Sequence, residues 1–101
     1  MNDSDLRVQL VEERGKTSIF IDAYIDDEGN LIISGQDLGE FPKKYWGDSD
    51  YEYWLTVSAK DKDRLLLALL EALYKGDFKV ITNIRTKLQE KNIPYNFGNW
   101  V

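Results

Sequence analysis

Residues 51–76, YEYWLTVSAKDKDRLLLALLEALYKG, contain the change of hydrophobic period that decides the fold. From Tyr51 to Ser58 apolar and polar side chains alternate, which is the pattern of a half-buried β-strand. From Lys60 to Lys75 the apolar residues recur at spacings of three and four, which predicts an amphipathic helix. Ser58 and Asp61 have the spacing of a capping box at the start of that helix.

Three further strands are predicted before this stretch. Leu6–Leu10 and Thr17–Ile25 alternate in the same way, and the polar, glycine-containing residues 13–16 between them favour a hairpin turn. A third strand is predicted over residues 31–34. Residues 35–39, GQDLG, are expected to form a bulge or an irregular strand end because they contain two glycines.

The C-terminal part is predicted to contain a second helix and a last strand. Gly76 suits the position that follows a helix, and Asp77 is a residue type that caps the next one. The apolar residues between Val80 and Leu88 have helical spacing. Pro94 cannot continue that helix, so the aromatic segment 95–101 is expected to be a short strand or a packed tail.

The predicted order β-β-β-β-α-α-β indicates an α+β protein. We expect an antiparallel sheet of four to five strands, with two helices packed on one face of the sheet. Residues 40–50, which include Pro42 and Gly47, are expected to form a loop. Because 101 residues leave no room for a second domain, we predict a single α+β domain over residues 1–101.

The composition excludes several kinds of chemistry. The chain contains no His and no Cys, so we expect no zinc site, disulfide, iron–sulfur cluster or histidine-dependent catalytic triad. A chain of this length also has little surface for a deep substrate cleft. We therefore expect no enzymatic activity and no cofactor. The alternative is carboxylate-based catalysis by Asp37, Asp48, Asp50 and Glu52.

The sequence carries no signal for a membrane or for export. The longest apolar run, residues 65–73, is too short to span a bilayer and contains Glu71. The N-terminal residues are polar and acidic, whereas a signal peptide needs a basic start and an apolar run. We therefore expect a cytoplasmic protein without a membrane partner.

Two short segments resemble ligand-binding loops, but their spacing does not fit. Residues 26–30, DDEGN, fail the calcium-loop pattern because aligning Gly29 places Tyr24 at the first ligand position. Residues 35–39 lack both the lysine of a phosphate-binding loop and the glycine spacing of a dinucleotide-binding turn. We predict a hairpin turn over residues 26–30 and no metal site.

Negative charge is concentrated in residues 22–58, which hold nine carboxylates and two lysines, whereas the whole chain has a net charge of −5. The alternation also places Phe20, Tyr24 and Trp54 on the sheet face opposite the aliphatic residues. Carboxylates steer a basic partner and aromatic rings supply contact area, whereas nucleic-acid phosphates are repelled. The predicted partner-binding residues are Asp37, Glu40, Trp46, Asp48, Asp50, Glu52 and Trp54.

The chain resembles a group of small uncharacterised bacterial proteins. The resemblance rests on GQDLG at 35–39, on DSDYEYW at 48–54 and on the aromatic end after Pro94, and it covers the chain from about Gly29 onward. That group has no assigned activity, so the resemblance implies no catalytic or binding residue. In size, acidity and aromatic content the chain is also similar to immunity proteins of bacterial toxin systems.

These observations lead to one main hypothesis and two alternatives. We expect a non-enzymatic protein-binding module, such as an immunity protein or an inhibitor of a basic protein, for example a nuclease toxin. The first alternative is a structural domain that forms a homodimer by burying its aromatic sheet face. The second is a DNA mimic, which requires carboxylates in rows at phosphate-like spacing.

Overall fold

A computed structural model describes residues 6–47 and 50–100 of the chain. This part is an α+β protein, as predicted. It divides into two compact units, Met1–Leu66 and Leu67–Val101, and the single domain stays a prediction. The elements are β1 (Arg7–Glu13), β2 (Thr17–Ile25), β3 (Leu31–Gly39), α1 (Glu40–Trp46), β4 (Asp50–Val57), α2 (Lys62–Tyr74) and α3 (Val80–Glu90).

The strands of the described residues form one antiparallel sheet in the order β1-β2-β3-β4, so β1 and β4 are its edges. The predicted bounds of β2 are confirmed. Pairing of β2 with β3 is continuous from Thr17↔Gly39 to Ile25↔Leu31. The bulge predicted at residues 35–39 is therefore wrong. The irregularity lies instead in β1, between Gln9 and Val11.

Gly35 explains why β3 continues through a glycine-rich segment. It is buried and lies directly opposite Tyr53 in β4, whose ring occupies the space that a Cβ atom at Gly35 would need. The Tyr53 hydroxyl donates a hydrogen bond to Asp37 Oδ1 at 2.9 Å. Burial, together with this hydrogen bond, raises the pKa of Tyr53 to about 12. The glycine thus serves a cross-strand contact and does not interrupt the strand.

A short helix replaces most of the loop predicted over residues 40–50. Residues 40–46 are helical, and the left-handed Gly47 (φ 78°) ends the helix by donating its N–H to the Lys43 carbonyl at 3.1 Å. Pro42 lies in the first turn, where a helix needs no N–H donor, and its side chain is fully buried. The loop prediction missed α1 because Pro42 and Gly47 are typical of loops, and seven residues are too few to establish a helical period.

The two faces of the sheet differ in composition, and the register confirms the predicted placement of Phe20, Tyr24 and Trp54 opposite the aliphatic residues. The face that carries Phe20, Tyr24 and Trp54 is called the polar–aromatic face. Its other residues are Arg7, Gln9, Glu12, Ser18, Asp22, Ile32, Ser34, Gln36, Leu38, Asp50, Glu52 and Thr56. The other is the aliphatic face, with Val8, Val11, Ile19, Ile21, Ala23, Ile33, Leu55 and Val57.

The turn between β2 and β3 is held by its own side chains and by the segment that leads into α2. Asp26 Oδ1 accepts a hydrogen bond from the Asn30 N–H at 2.9 Å, and Asn30 Oδ1 accepts one from the Ala59 N–H at 2.9 Å. Lys62 Nζ donates to the Gly29 carbonyl at 2.6 Å. The predicted turn over residues 26–30 is thus confirmed, and the side chains of Asp26 and Asn30 form hydrogen bonds within the protein.

The Asp26 carboxylate makes the stability of this turn depend on pH. Hydrogen bonds, above all from the Asn30 N–H, hold the pKa of Asp26 below its usual 3.8. A lowered pKa in the folded state contributes stability above the unfolded-state pKa, and this contribution is lost as the pH falls through the folded-state pKa. We expect the wild-type chain to be more stable than Asp26→Asn near pH 6, with the difference narrowing below pH 3.8. Urea unfolding at several pH values measures it, and a pH-independent difference would contradict the assignment.

The start of α2 uses the predicted residues in a different way. Ser58 Oγ donates to Asp61 Oδ2 at 3.0 Å, so the two side chains bond to each other, and the Lys62 N–H bonds to the Ser58 carbonyl at 3.0 Å. The helix begins at Lys62, two residues later than predicted. At its other end Gly76 adopts φ 83°, which confirms its predicted place after the helix.

Two aromatic rings near the end of the chain, Tyr95 and Phe97, lie beside α3, whereas Trp100 is exposed. Asp77 Oδ1 accepts the Lys79 N–H at 2.8 Å. The residue that precedes α3 is Lys79, and no side chain caps the first turn of the helix, so the predicted capping by Asp77 is wrong. The Arg85 guanidinium carbon lies 4.4 Å from the centre of the Phe97 ring and 5.9 Å from that of Tyr95. No strand forms over 91–100, so the predicted last strand is wrong for these described residues. The strand is absent because Tyr95 and Phe97 contact Arg85 of α3, and because Pro94 has no N–H to donate to a neighbouring strand.

Candidate binding face

The centre of the polar–aromatic face is a shallow depression of about 260 Å³. Two neighbouring rows of the register form its walls and floor, each row taking one residue from β2, one from β3 and one from β4. The first row is Phe20, Gln36 and Glu52, and the second is Asp22, Ser34 and Trp54.

The depression exists because its central strand carries small residues. Ser34 is short, and the backbone of Gly35 also lines the site. The side chains from β2 and β4 are longer and form the two sides. Trp54 stands on the edge strand β4 with 63% of its surface exposed. Such an exposed ring at a rim is suited to contact with another molecule.

Next to the depression, Arg7 joins a ring and a carboxylate of the same face. Its guanidinium carbon lies 4.2 Å from the centre of the Tyr24 ring, and its Nη1 lies 3.1 Å from Asp22 Oδ2. The arginine thus makes a cation–π contact and an ion pair at once. It also offsets the charge of Asp22, one of the two carboxylates that line the depression.

A second trio of the same kind lies further along β1 and β2. The Arg14 guanidinium carbon is 5.2 Å from the centre of the Phe20 ring, and Arg14 Nη2 is 2.8 Å from Glu12 Oε1. Again one arginine satisfies a ring and a carboxylate together.

Trp54 and Glu52 form a ring and a carboxylate without an arginine. Gln36 Nε2 donates to Asp50 Oδ1 at 3.1 Å and weakly to Glu52 Oε1 at 3.4 Å. Within residues 6–47 and 50–100, no arginine lies over Trp54 and no cation pairs with Glu52. The β4 side of the face therefore keeps its negative charge at Glu52.

The structure brings together three of the predicted partner-binding residues and separates the others. Asp50, Glu52 and Trp54 share the polar–aromatic face. Asp37 lies on the opposite face, where it accepts the Tyr53 hydroxyl. Glu40 is the exposed first residue of α1. Outside the described residues lie Asp48 and the side chain of Trp46.

Sequence reasoning misses the floor of the depression and the two arginine trios. Ser34 falls at the end of a predicted strand and Gln36 in a segment predicted to be irregular, so the sequence places neither on a face. The alternation of β2 does place Phe20 and Asp22 together. The pairing of Arg7 with Asp22 depends on the register of β1 against β2, which shifts between Gln9 and Val11, and the alternation of the sequence does not show that shift.

Fold and face together define an α+β protein with an open sheet surface of carboxylates and aromatic rings. Within the described residues, no three carboxylates come close enough together to hold a metal ion, and no helix is both long and apolar enough to cross a membrane. Comparison of the chain with protein-family models, with curated proteins and with solved structures gave no match.

Proposed function

We propose that this chain is a non-enzymatic protein-binding module whose polar–aromatic face binds a basic protein, in the manner of an immunity protein or an inhibitor. The observation that carries the proposal is the exposed Trp54 beside Glu52, a carboxylate without a cationic partner in the described residues. Exposed tryptophan is enriched among residues that dominate interface energies. A neighbouring carboxylate adds charge complementarity toward a basic surface.

The charge distribution supports fast encounter with such a partner. Residues 22–58 carry nine carboxylates and two lysines. A field of one sign accelerates the approach of an oppositely charged protein by about 10- to 1,000-fold at low salt. At a salt concentration of about 0.1–0.15 M, attraction between exposed charges more than about 8–10 Å apart is largely screened. Binding should therefore weaken as salt is added.

A charge reversal on the face tests the proposal. The wild-type chain should retain a basic protein from the native cell lysate at low salt and lose much of it at high salt. Glu52→Lys should lower the association rate constant of that purified partner about tenfold at low salt, because it replaces attraction by repulsion at the contact. Stopped-flow fluorescence measures the rate.

The control for this experiment is Glu13→Lys, which makes the same change of net charge at an exposed position of β1 that shares its face with Ile19. It should change the rate by less than about threefold, since an exposed charge outside the contact is screened. Equal effects of both variants would contradict binding at the polar–aromatic face. A lysate that yields no retained protein at either salt concentration would contradict the binding module itself.

A second candidate is self-association, and two exposed apolar residues on the edge strands of the aliphatic face favour it. Val8 is 57% and Leu55 is 59% exposed, and Pro42 is the one fully buried side chain among the apolar residues that the structure describes. Contiguous exposed apolar surface marks protein interfaces. A homodimer formed through this face would leave the polar–aromatic face free. That two helices of the chain cover one face of the sheet stays a prediction.

The DNA-mimic alternative has less support. Four carboxylates of the polar–aromatic face are described: Glu12, Asp22, Asp50 and Glu52. Two of these, Glu12 and Asp22, already pair with arginines of the chain. A mimic of DNA phosphates needs rows of unpaired negative charge. The arrangement on this face instead favours a partner that contacts both the aromatic rings and the carboxylates.

A further inference from the structure

We infer that Trp54 and Glu52 bind an arginine side chain of the partner; this rests on the proposed function and names the group that the face recognises. The polar–aromatic face places an arginine between a ring and a carboxylate twice, at Arg7 and at Arg14. The third ring and carboxylate, on β4, have no such arginine within the described residues. The missing member of this third trio is supplied from outside.

The geometry of β4 places the two groups within reach of one guanidinium. Trp54 and Glu52 are two residues apart on the same strand face, which separates their backbone positions by about 7 Å. A guanidinium stacked on the Trp54 ring can therefore direct its N–H groups along the strand to the Glu52 carboxylate. Trp is also the ring with the strongest cation–π attraction.

The depression supplies the remaining space and hydrogen-bond acceptors. Its volume of about 260 Å³ suits one side chain and is below the size of a typical small-molecule pocket, which is about 300–1,000 Å³. The Ser34 side chain is small, so the centre of the depression stays open, and its hydroxyl oxygen can accept a hydrogen bond. Asp22 is occupied by Arg7 at 3.1 Å, so Glu52 is the carboxylate that pairs with the incoming cation.

These features favour arginine over lysine. A guanidinium is planar, stacks on an aromatic face and offers five N–H donors in a fixed arrangement. A lysine ammonium is a compact, strongly hydrated charge that cannot stack. The site combines a flat ring with acceptors to one side, and only the planar cation satisfies both.

A peptide titration followed by ¹H–¹⁵N NMR tests this inference. The probes are acetyl-Gly-Arg-Gly-amide, its lysine analogue and its citrulline analogue, which has nearly the shape of arginine without the charge. The arginine peptide should shift the Trp54 indole N–H and the amides of Ser34 and Glu52, with a dissociation constant of about 1–10 mM. The lysine peptide should bind at least about threefold more weakly and the citrulline peptide at least about tenfold more weakly.

Glu52→Gln should weaken arginine binding by about two- to fivefold, because the ion pair is lost while the side-chain shape is kept. The matched control is Glu13→Gln, the same change at an exposed residue of β1 that shares its face with Ile19, and it should leave the shifts unchanged. Shifts confined to other residues, or equal binding of the arginine and citrulline peptides, would overturn the inference. Lysine binding as tight as arginine binding would overturn it as well.

The arginine site and the binding module can fail separately. If the wild-type chain retains a basic protein in a Glu52-dependent manner but the arginine peptide leaves Trp54 unshifted, the arginine inference is wrong and the binding module stands. If the peptide binds at Trp54 and Glu52 but no protein is retained, the arginine site stands and the proposed function is wrong.

Discussion

Gly39→Ala is expected to lower the free energy of unfolding by about 3 kcal/mol. Gly39 is the last residue of β3 and precedes α1, and its φ of 123° lies in a region that residues with a Cβ atom rarely adopt. Forcing alanine into such a conformation costs about 1–3 kcal/mol. Proteins of this size are stable by only about 5–15 kcal/mol, so a loss of about 3 kcal/mol is readily measured.

Steric overlap adds to the cost of the strained backbone. A Cβ atom at Gly39 would overlap the Lys16 carbonyl oxygen and would lie 3.2 Å from the Thr17 Cα atom. The same carbonyl accepts the Glu40 N–H at 3.1 Å, which links the start of α1 to the start of β2. Because these neighbours are backbone, they cannot rotate away as a side chain would, and the link has to break.

Gly15→Ala is the control for this substitution. Gly15 lies in the nearby β1–β2 turn without a positive φ, and a methyl group added there would have the Thr17 carbonyl oxygen as its nearest neighbour, 3.9 Å away. Its effect should stay within about 0.5 kcal/mol. Urea unfolding followed by circular dichroism compares the two variants. Equal stabilities of Gly39→Ala and Gly15→Ala would contradict the close approach of β3 to residues 16 and 17.

The close approach at Gly39 also shows where sequence reasoning works and where it stops. The alternation of Thr17–Ile25 predicts β2 with its observed bounds, because a period of two needs only local information. The glycines of residues 35–39 suggest an interruption for the same local reason. Their actual role is to admit the Tyr53 ring and the Lys16 backbone, and both belong to other parts of the chain.

The same distinction holds for the candidate site. Glu52 and Trp54 can be assigned to one face from the alternation of β4 alone, and the register agrees. Asp37 joins them in the prediction on the basis of charge, but it lies on the opposite face with Tyr53. The concentration of charge indicates which segment of the chain is acidic, whereas the alternation of side chains along a strand indicates which face of the sheet each residue lies on. The pairing of Arg7 with Asp22 needs the register of two strands as well.

Trp54→Ala is expected to weaken binding of the basic partner by about 2–4 kcal/mol, or about 30- to 1,000-fold. The ring supplies most of the exposed aromatic area at the rim of the depression, and exposed tryptophans at interface centres have effects of this size. The variant should still fold, because a side chain that is 63% exposed contributes little to the interior. Isothermal titration calorimetry with the purified partner measures the loss.

Leu55→Ala is the matched control for Trp54→Ala, and it distinguishes binding of a basic protein from self-association. Leu55 is the next residue of β4, it is 59% exposed, and it lies on the aliphatic face. If the polar–aromatic face binds the partner, Leu55→Ala should change the affinity by less than about threefold. If the chain acts by self-association through the aliphatic face, sedimentation equilibrium should show a dimer that Leu55→Ala weakens and Trp54→Ala does not. Two neighbouring residues of similar exposure therefore report on opposite faces, and loss of partner binding in Leu55→Ala alone would contradict the proposed binding face.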